Sequence, residues 1–133
     1  MSVGRLRMDD QAMSTSFDYG RAFARNLGWV TPEEQAALRG KRVAIAGGGG
    51  VGGVYLLTLA RLGIASFHIA DFDSFDLVNF NRQVGAMMST LDQPKADVLA
   101  RMARDINPEI DIKIFPQGIN PDNLDAFLAG VDL

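Results

Sequence analysis

Two hydrophobic rhythms run along the middle of this chain, and the points where one gives way to the other mark its elements. Val43, Ala44, Ile45 and Ala46 form a short apolar run behind the basic pair Lys41 and Arg42, as in a strand buried within a parallel sheet. A glycine-rich stretch follows. Residues 54–62 are then apolar with helix-forming composition, and Gly63 closes them. Residues 64–70 read as a second strand ending at Asp71. Strand, glycine turn, helix and strand thus occupy 42–71, about thirty residues, the size of a βαβ unit. Farther on, Val98, Leu99, Met102 and Ile106 give a helical stripe over 94–106, closed by Asn107 and Pro108. Ile110, Ile112 and Ile114 alternate with Asp111 and Lys113, the period of a strand with one buried face. Asn120, Pro121 and Asp122 start another helix, which Gly130 ends, and Val131, Asp132 and Leu133 open a further strand. This alternation predicts an α/β fold with a Rossmann-like, doubly wound, mainly parallel sheet. A chain that stops inside a predicted strand leaves a sheet edge unfinished, so the sequence is expected to be a fragment of a longer protein.

The first forty residues follow different rules. Residues 1–15 are polar and are expected to be loose. Over 17–27, Phe17, Ala24 and Leu27 are placed to share one helical face. Thr31, Pro32, Glu33 and Glu34 then read as a helix start. Thr31 accepts from first-turn amides, Pro32 loses nothing at the first position, and the two acids face the positive end of the dipole. That helix ends at Gly40, and Trp29 is expected to anchor its entry.

Composition narrows the function classes. A length of 133 residues fits one domain with a real core. With 47% hydrophobic and 22% charged residues, the chain matches ordinary globular proteins. A net charge of −3 argues against a domain built mainly to coat nucleic acid. The absence of cysteine excludes disulfides, a thiolate nucleophile and cysteine-held zinc within the sequence. Its one histidine, His68, lies among apolar residues and reads as structural. No apolar run approaches the roughly 20 residues that cross a bilayer. The polar N-terminus lacks the apolar stretch of a signal peptide, so the expected location is cytoplasmic.

The chemistry concentrates between the first strand and the fourth helix. Gly47, Gly49 and Gly52 have the spacing of a turn that brings backbone amides to a phosphate at a helix N-terminus. The same turn also serves plain close packing of helix on sheet. Asp71, 22 residues after Gly49 at the end of the second strand, is placed to accept both ribose hydroxyls of an adenosine, in NAD or ATP alike. Asp73, Asn79, Arg82 and Gln83 follow, and then Lys95. A dinucleotide oxidoreductase has no evident use for an Arg and a Lys here, whereas a triphosphate does. Arg82 supplies a planar fork of donors, Lys95 a compact charge and Asn79 a neutral donor. Taken singly, each charge would read as solvated surface. Phe67, Phe72, Phe75, Phe80, Met87 and Met88 read as packing.

The strings GGGGVGG, DFDSFDLVNFNRQ and PKADVLARM with its following NP together resemble the ubiquitin-activating enzyme superfamily in its ThiF/MoeB/HesA branch, over about residues 17–133. The resemblance implies a 1–15 flexible N-terminus, a 16–40 helical N-terminal extension, and a 41–133 Rossmann-like ATP-binding domain incomplete at its C-terminus. It implies that Gly47, Gly49, Gly50 and Gly52 line the ATP phosphates, with Asp71 on the ribose and Asp73 completing the acid pair. Asn79, Arg82 and Lys95 hold and polarise the triphosphate, and Gln83 supports their loop. Arg25, after Tyr19, matches the arginine that enters a partner subunit's site, which implies a homodimer. Gly53, Asn26 and Phe80 depart mildly from the pattern. The family's magnesium-binding aspartate, catalytic cysteine, zinc cysteines and carrier-binding surface lie beyond this sequence.

The implied activity is ATP-dependent, Mg2+-assisted adenylylation of a carboxylate, the C-terminal glycine of a ubiquitin-like or sulfur-carrier protein. Related domains modify tRNA bases and tailor peptides. Two other readings stay open: an NAD-dependent oxidoreductase domain built on the glycines and Asp71, and a non-catalytic domain for nucleotide binding or dimerisation.

Overall fold

The computed structural model describes residues 16–133; the expectation for 1–15 falls outside the described residues. Three parallel strands, β1 (Arg42–Ala46), β2 (Ser66–Ala70) and β3 (Asp111–Phe115), pair in the order β1-β2-β3. Ile45 stands opposite Ile69 and Ile69 opposite Ile114. Each strand carries five residues in the same register, so all three end together at Ala46, Ala70 and Phe115. On the free side of β1, the Asp132 N–H donates to the Arg42 carbonyl and the Ala44 N–H to the Leu133 carbonyl, both at 2.8 Å. Residues 131–133 thus run beside β1, where the sequence placed a further strand.

Alternation along the strands splits the side chains between two faces. Val43, Ile45, Phe67, Ile69 and Ile112 pack beneath α3 (Gly52–Leu62) and α4 (Lys95–Ile106), whose Leu56, Ala60, Val98, Leu99 and Ala103 complete the main core. The opposite face is lighter. There Ala44, Ala70 and Phe115 meet Phe127 of α5 (Leu124–Leu128). His68 lies on this face, buried, with Nδ1 2.7 Å from the Phe127 carbonyl and its ring against Phe115 and Phe127. It ties α5 to the sheet, the structural role expected of it. With helices on both faces, the doubly wound α/β architecture stands.

The N-terminal stretch departs from its sequence reading in two ways. The run over 17–27 is no single helix: α1 (Tyr19–Ala22) stops at Phe23 and a 3-10 turn covers Ala24–Asn26. Leu27 is exposed, and Phe23 is the residue that enters the interior. Trp29 anchors nothing, being 93% exposed on the turn between Leu27 and Val30. The helix α2 (Pro32–Arg39) starts as its residues require. Thr31 Oγ1 accepts from the Glu34 N–H, and the Glu34 carboxylate accepts from the Thr31 N–H.

These elements dock on the C-terminal end of α3. Gln35 Nε2 donates to the Leu62 carbonyl at 2.9 Å, Asn26 Nδ2 to the same carbonyl at 3.2 Å, and the Tyr19 hydroxyl to the Gly63 carbonyl at 2.6 Å. A helix leaves its last carbonyls unpaired, and side chains from the extension fill that deficit. Among the described residues, no helix is long and apolar enough to cross a membrane.

Candidate functional site

The candidate residues meet at the C-terminal ends of the strands, around the opposite end of α3. Gly47 leaves β1 at φ +91°, and its N–H still pairs with the Ala70 carbonyl at 2.7 Å. The chain then reverses so tightly that a Cβ at Gly52 would collide with the Gly47 carbonyl oxygen. No side chain there has a rotamer that escapes, because the obstacle is backbone. The result is a short turn feeding straight into α3. Among the described residues, the N–H groups of Gly49, Gly50, Val51 and Gly52 have no hydrogen-bond partner. Four free amides at the positive end of an 11-residue helix form an anion-binding surface.

Asp71 fixes this turn to the next loop. Its Oδ2 accepts from the Gly48 N–H at 2.5 Å and its Oδ1 from the Asp73 N–H at 2.7 Å. Each oxygen keeps a further lone pair for a hydroxyl group. Asp73 also holds the start of α4: its carbonyl accepts from the Lys95 N–H at 2.9 Å, and its Oδ2 lies 3.8 Å from Lys95 Nζ. The Lys95 side chain is only 8% exposed and stands over the Phe75 ring at 5.9 Å. An ammonium buried with one carboxylate at the edge of contact distance is held ready for a further anion.

Asn79, Arg82 and Gln83 come from the loop between β2 and α4. Asn79 is buried, and its Oδ1 accepts from the Asp76 N–H at 2.8 Å, capping the 3-10 turn Leu77–Asn79. Its Nδ2 makes no hydrogen bond among the described residues. Arg82 is exposed, with Nη1 donating to the Val78 carbonyl and to Asn81 Oδ1, each at 2.9 Å. Its stem passes over the glycine turn, with Cγ 3.6 Å from where a Cβ on Gly50 would sit. Gln83 is 7% exposed, and its Oε1 is buried with no partner. Its Nε2 lies 3.7 Å from the Cβ position of Gly49. A buried amide left open costs about 1–3 kcal/mol, and this one borders the free amides of α3.

Arg25 is the one candidate that the chain does not bring here. Its neighbour Asn26 is bonded to the Leu62 carbonyl, so Arg25 sits by the far end of α3, about 16 Å along an 11-residue helix. Four aromatic and sulfur assignments also change, Phe80 among them, which is exposed in the turn after Asn79. Phe67 and Phe75 are core, but Phe72 is 76% exposed, and Met87 and Met88 are exposed as well. They stand at turns where the chain leaves the core, a placement that composition does not encode.

The described residues contain no cluster of three His, Asp or Glu side chains able to hold a metal ion. Asp71 binds two backbone amides and Asp73 faces Lys95, so these residues do not fit a magnesium ion held by the protein alone.

A parallel sheet with a glycine turn, an open helix end and flanking cations at its carboxyl edge defines the Rossmann-like class of anion-binding α/β domains. The ThiF family model matches residues 23–133, and the chain belongs to that family. It is 39% identical over 90 residues to the tRNA threonylcarbamoyladenosine dehydratase of Bacillus subtilis, covering 68% of this chain and 35% of that protein. It is 37% identical over 103 residues to ubiquitin-like modifier-activating enzyme 5 of Drosophila ananassae, covering 74% and 25%. The Escherichia coli tRNA N6-threonylcarbamoyladenosine dehydratase, solved with ATP, superposes with a TM-score of 0.81 at 27% identity, covering 86% of this chain and 47% of that one. Its AMP complex matches with the same TM-score and identity. The chain therefore spans about a third of the B. subtilis relative and about half of the solved enzyme.

Proposed function

We propose that this chain is the nucleotide-binding part of an enzyme that adenylylates a carboxylate with ATP. The observation that carries the reading is the gathering of buried Lys95, Arg82 and four free amides around one glycine turn, in a chain of the ThiF family. The ATP and AMP held by the E. coli dehydratase support the choice of nucleotide. Gly47, Gly49, Gly50 and Gly52 border the phosphates, and the remaining lone pairs of Asp71 take the ribose hydroxyls. Asn79 Nδ2 and Gln83 Nε2 donate to phosphate oxygens. Lys95, steered by Asp73, and Arg82 neutralise the charge that builds as a carboxylate oxygen attacks the α-phosphorus. The bond from the α-phosphorus to the bridging oxygen breaks, giving acyl-adenylate and pyrophosphate. A carboxylate nucleophile carries no proton to remove, so the step asks for charge stabilisation rather than a base.

The acceptor in this reading is the C-terminal glycine of a ubiquitin-like or sulfur-carrier protein, supported by the D. ananassae relative. A carboxylate on a modified tRNA base is the second acceptor, supported by the two dehydratases. The protein works as a homodimer in which Arg25 serves its partner's site. Two observations favour this: Arg25 lies away from its own glycine turn, and Val51 at the N-cap of α3 and Val54 and Tyr55 within it are exposed, as are Leu77, Val78 and Val84 of the neighbouring loop. In the complete protein, Lys95→Ala and Arg82→Ala should each cut ATP–pyrophosphate exchange by roughly 100-fold or more. Near-normal exchange in both variants refutes the assignment.

A further inference from the structure

Phe75 joins the two segments that bring cations to the glycine turn, and packing alone does not account for its surroundings. It is 1% exposed, and its backbone closes the base of the loop that carries Arg82. The Phe75 N–H donates to the Gln93 carbonyl at 3.0 Å, and its carbonyl accepts from the Asp92 N–H at 2.9 Å. Lys95 Nζ stands over the ring, 5.9 Å from its centroid. The ring edge meets Gly85 so closely that a Cβ there would lie 2.6 Å from Cζ and 2.9 Å from Cε2. The Gly85 backbone is itself fixed, since its carbonyl accepts from Thr90 Oγ1 at 2.5 Å. Position 85 thus lacks a side chain because the ring occupies its space, and the ring is held where it lies.

The state of Lys95 shows why an aromatic ring matters at this position. Its side chain is 8% exposed, yet Nζ makes no hydrogen bond among the described residues, and Asp73 Oδ2 at 3.8 Å lies beyond hydrogen-bond reach. An ammonium carries three donors, and burying it without partners is costly. A carbonyl or a carboxylate against it would offset that cost by occupying donors that a phosphate needs. The face of an aromatic ring attracts a cation through its quadrupole and takes no hydrogen bond. An aliphatic side chain would fill the same space and supply no such attraction.

We infer that Phe75 is a positioning residue for Lys95: its ring, locked against Gly85, seats the ammonium with its donors open to a phosphate and keeps it from collapsing onto Asp73. The inference rests on the nucleotide reading above and adds the group that keeps its buried cation ready. Without the ring, the Asp73 carboxylate is the strongest partner left to the ammonium. A lysine paired tightly there must be pulled away before it meets a phosphate. The apparent affinity then falls in proportion to the fraction of molecules whose ammonium is still poised.

The test is a double-mutant cycle between Phe75 and Lys95. Phe75 is replaced by pentafluorophenylalanine, which keeps a planar ring and removes the negative charge of its face, and separately by leucine. Each change is made in the unaltered protein and in Lys95→Met. Calorimetric titration of inorganic tripolyphosphate and of ATP gives the affinities, and denaturant unfolding closes the same cycle without ligand. Where Lys95 is present, both replacements should weaken both ligands about tenfold. In Lys95→Met, fluorination should leave the remaining affinity unchanged, and it should lower stability only where Lys95 is present. Equal losses in the two backgrounds make Phe75 a packing residue and overturn the seat. Undiminished affinity in the fluorinated protein overturns it as well. Failure of the unaltered protein to bind either ligand overturns the nucleotide reading, and the unfolding cycle then still decides for or against the seat.

Discussion

The two ends of α3 answer the same physical problem in opposite ways. A helix leaves carbonyls open at one end and amides at the other. At the C-terminal end, Gln35, Asn26 and Tyr19 supply three side-chain donors to Leu62 and Gly63, and Gln35 Nε2 also bonds the Tyr19 hydroxyl at 3.0 Å. At the N-terminal end, four amides stay free, and a buried side chain beside them, Gln83, has its Oε1 unpaired. The first end is saturated by its own chain, while the second is left for a ligand to complete. The only other unpartnered buried side-chain atom among the described residues, Asn107 Nδ2, lies at the opposite edge of the sheet, before β3 begins. Asn107 shows that an unpartnered buried atom also occurs away from the candidate site, so the contrast between the two ends rests on the four free amides together with Gln83.

Four substitutions probe that contrast. Gly52→Val should have the largest effect, since the collision with the Gly47 carbonyl forces the turn apart. A stability loss of about 3 kcal/mol is expected together with loss of ATP binding, read by denaturant unfolding and calorimetry. Retained ATP affinity would show that the turn does not shape the site. Gln35→Ala removes the bonds to Leu62 and Tyr19 at the saturated end. It should cost about 2 kcal/mol in the same unfolding assay and leave ATP affinity unchanged.

Gln83→Leu inverts this pattern. An apolar side chain of similar size relieves the buried, unpaired Oε1, so stability should hold or rise by up to about 1 kcal/mol while ATP binding weakens about tenfold. A variant that loses stability and keeps its affinity would place Gln83 among the structural residues. Asp132→Asn should have the smallest effect. The Arg42 backbone N–H at 2.9 Å, and then Lys41 at 3.5 Å, hold the Asp132 carboxyl below its ordinary range. A carboxyl lowered by folding stabilises the folded state above that range and loses its contribution as pH falls through it. The variant should flatten the acid side of the melting-temperature profile slightly and leave the neutral side unchanged.

Local patterns made much of this readable in advance. β1, α3 and β2 follow from an apolar run, a glycine turn and a second apolar run, each with its own period and stop signal. The alternation of Ile110, Ile112 and Ile114 gave β3, and the Thr31–Glu34 capping box gave α2, because both are determined within a few residues. The fifth helix was placed three or four residues early. Asn120 does bond forward to the Asp122 and Asn123 amides, but it builds a turn before Leu124 starts the helix.

What sequence alone determined was the order of the elements and the kinds of chemistry in the loops after β1 and β2, since periodicity, caps and side-chain charge are local properties. Tertiary structure decided which polar groups find partners. Lys95 acquires its setting from burial beside Gly48, Asp73 and Phe75, Gln83 from burial beside Gly49, and Arg25 from docking at the C-terminal end of α3. A hydrogen bond to a residue 27 or 36 positions away, such as those that Gln35 and Asn26 make to Leu62, has no signature in local spacing. It exists only once packing has brought the two segments together.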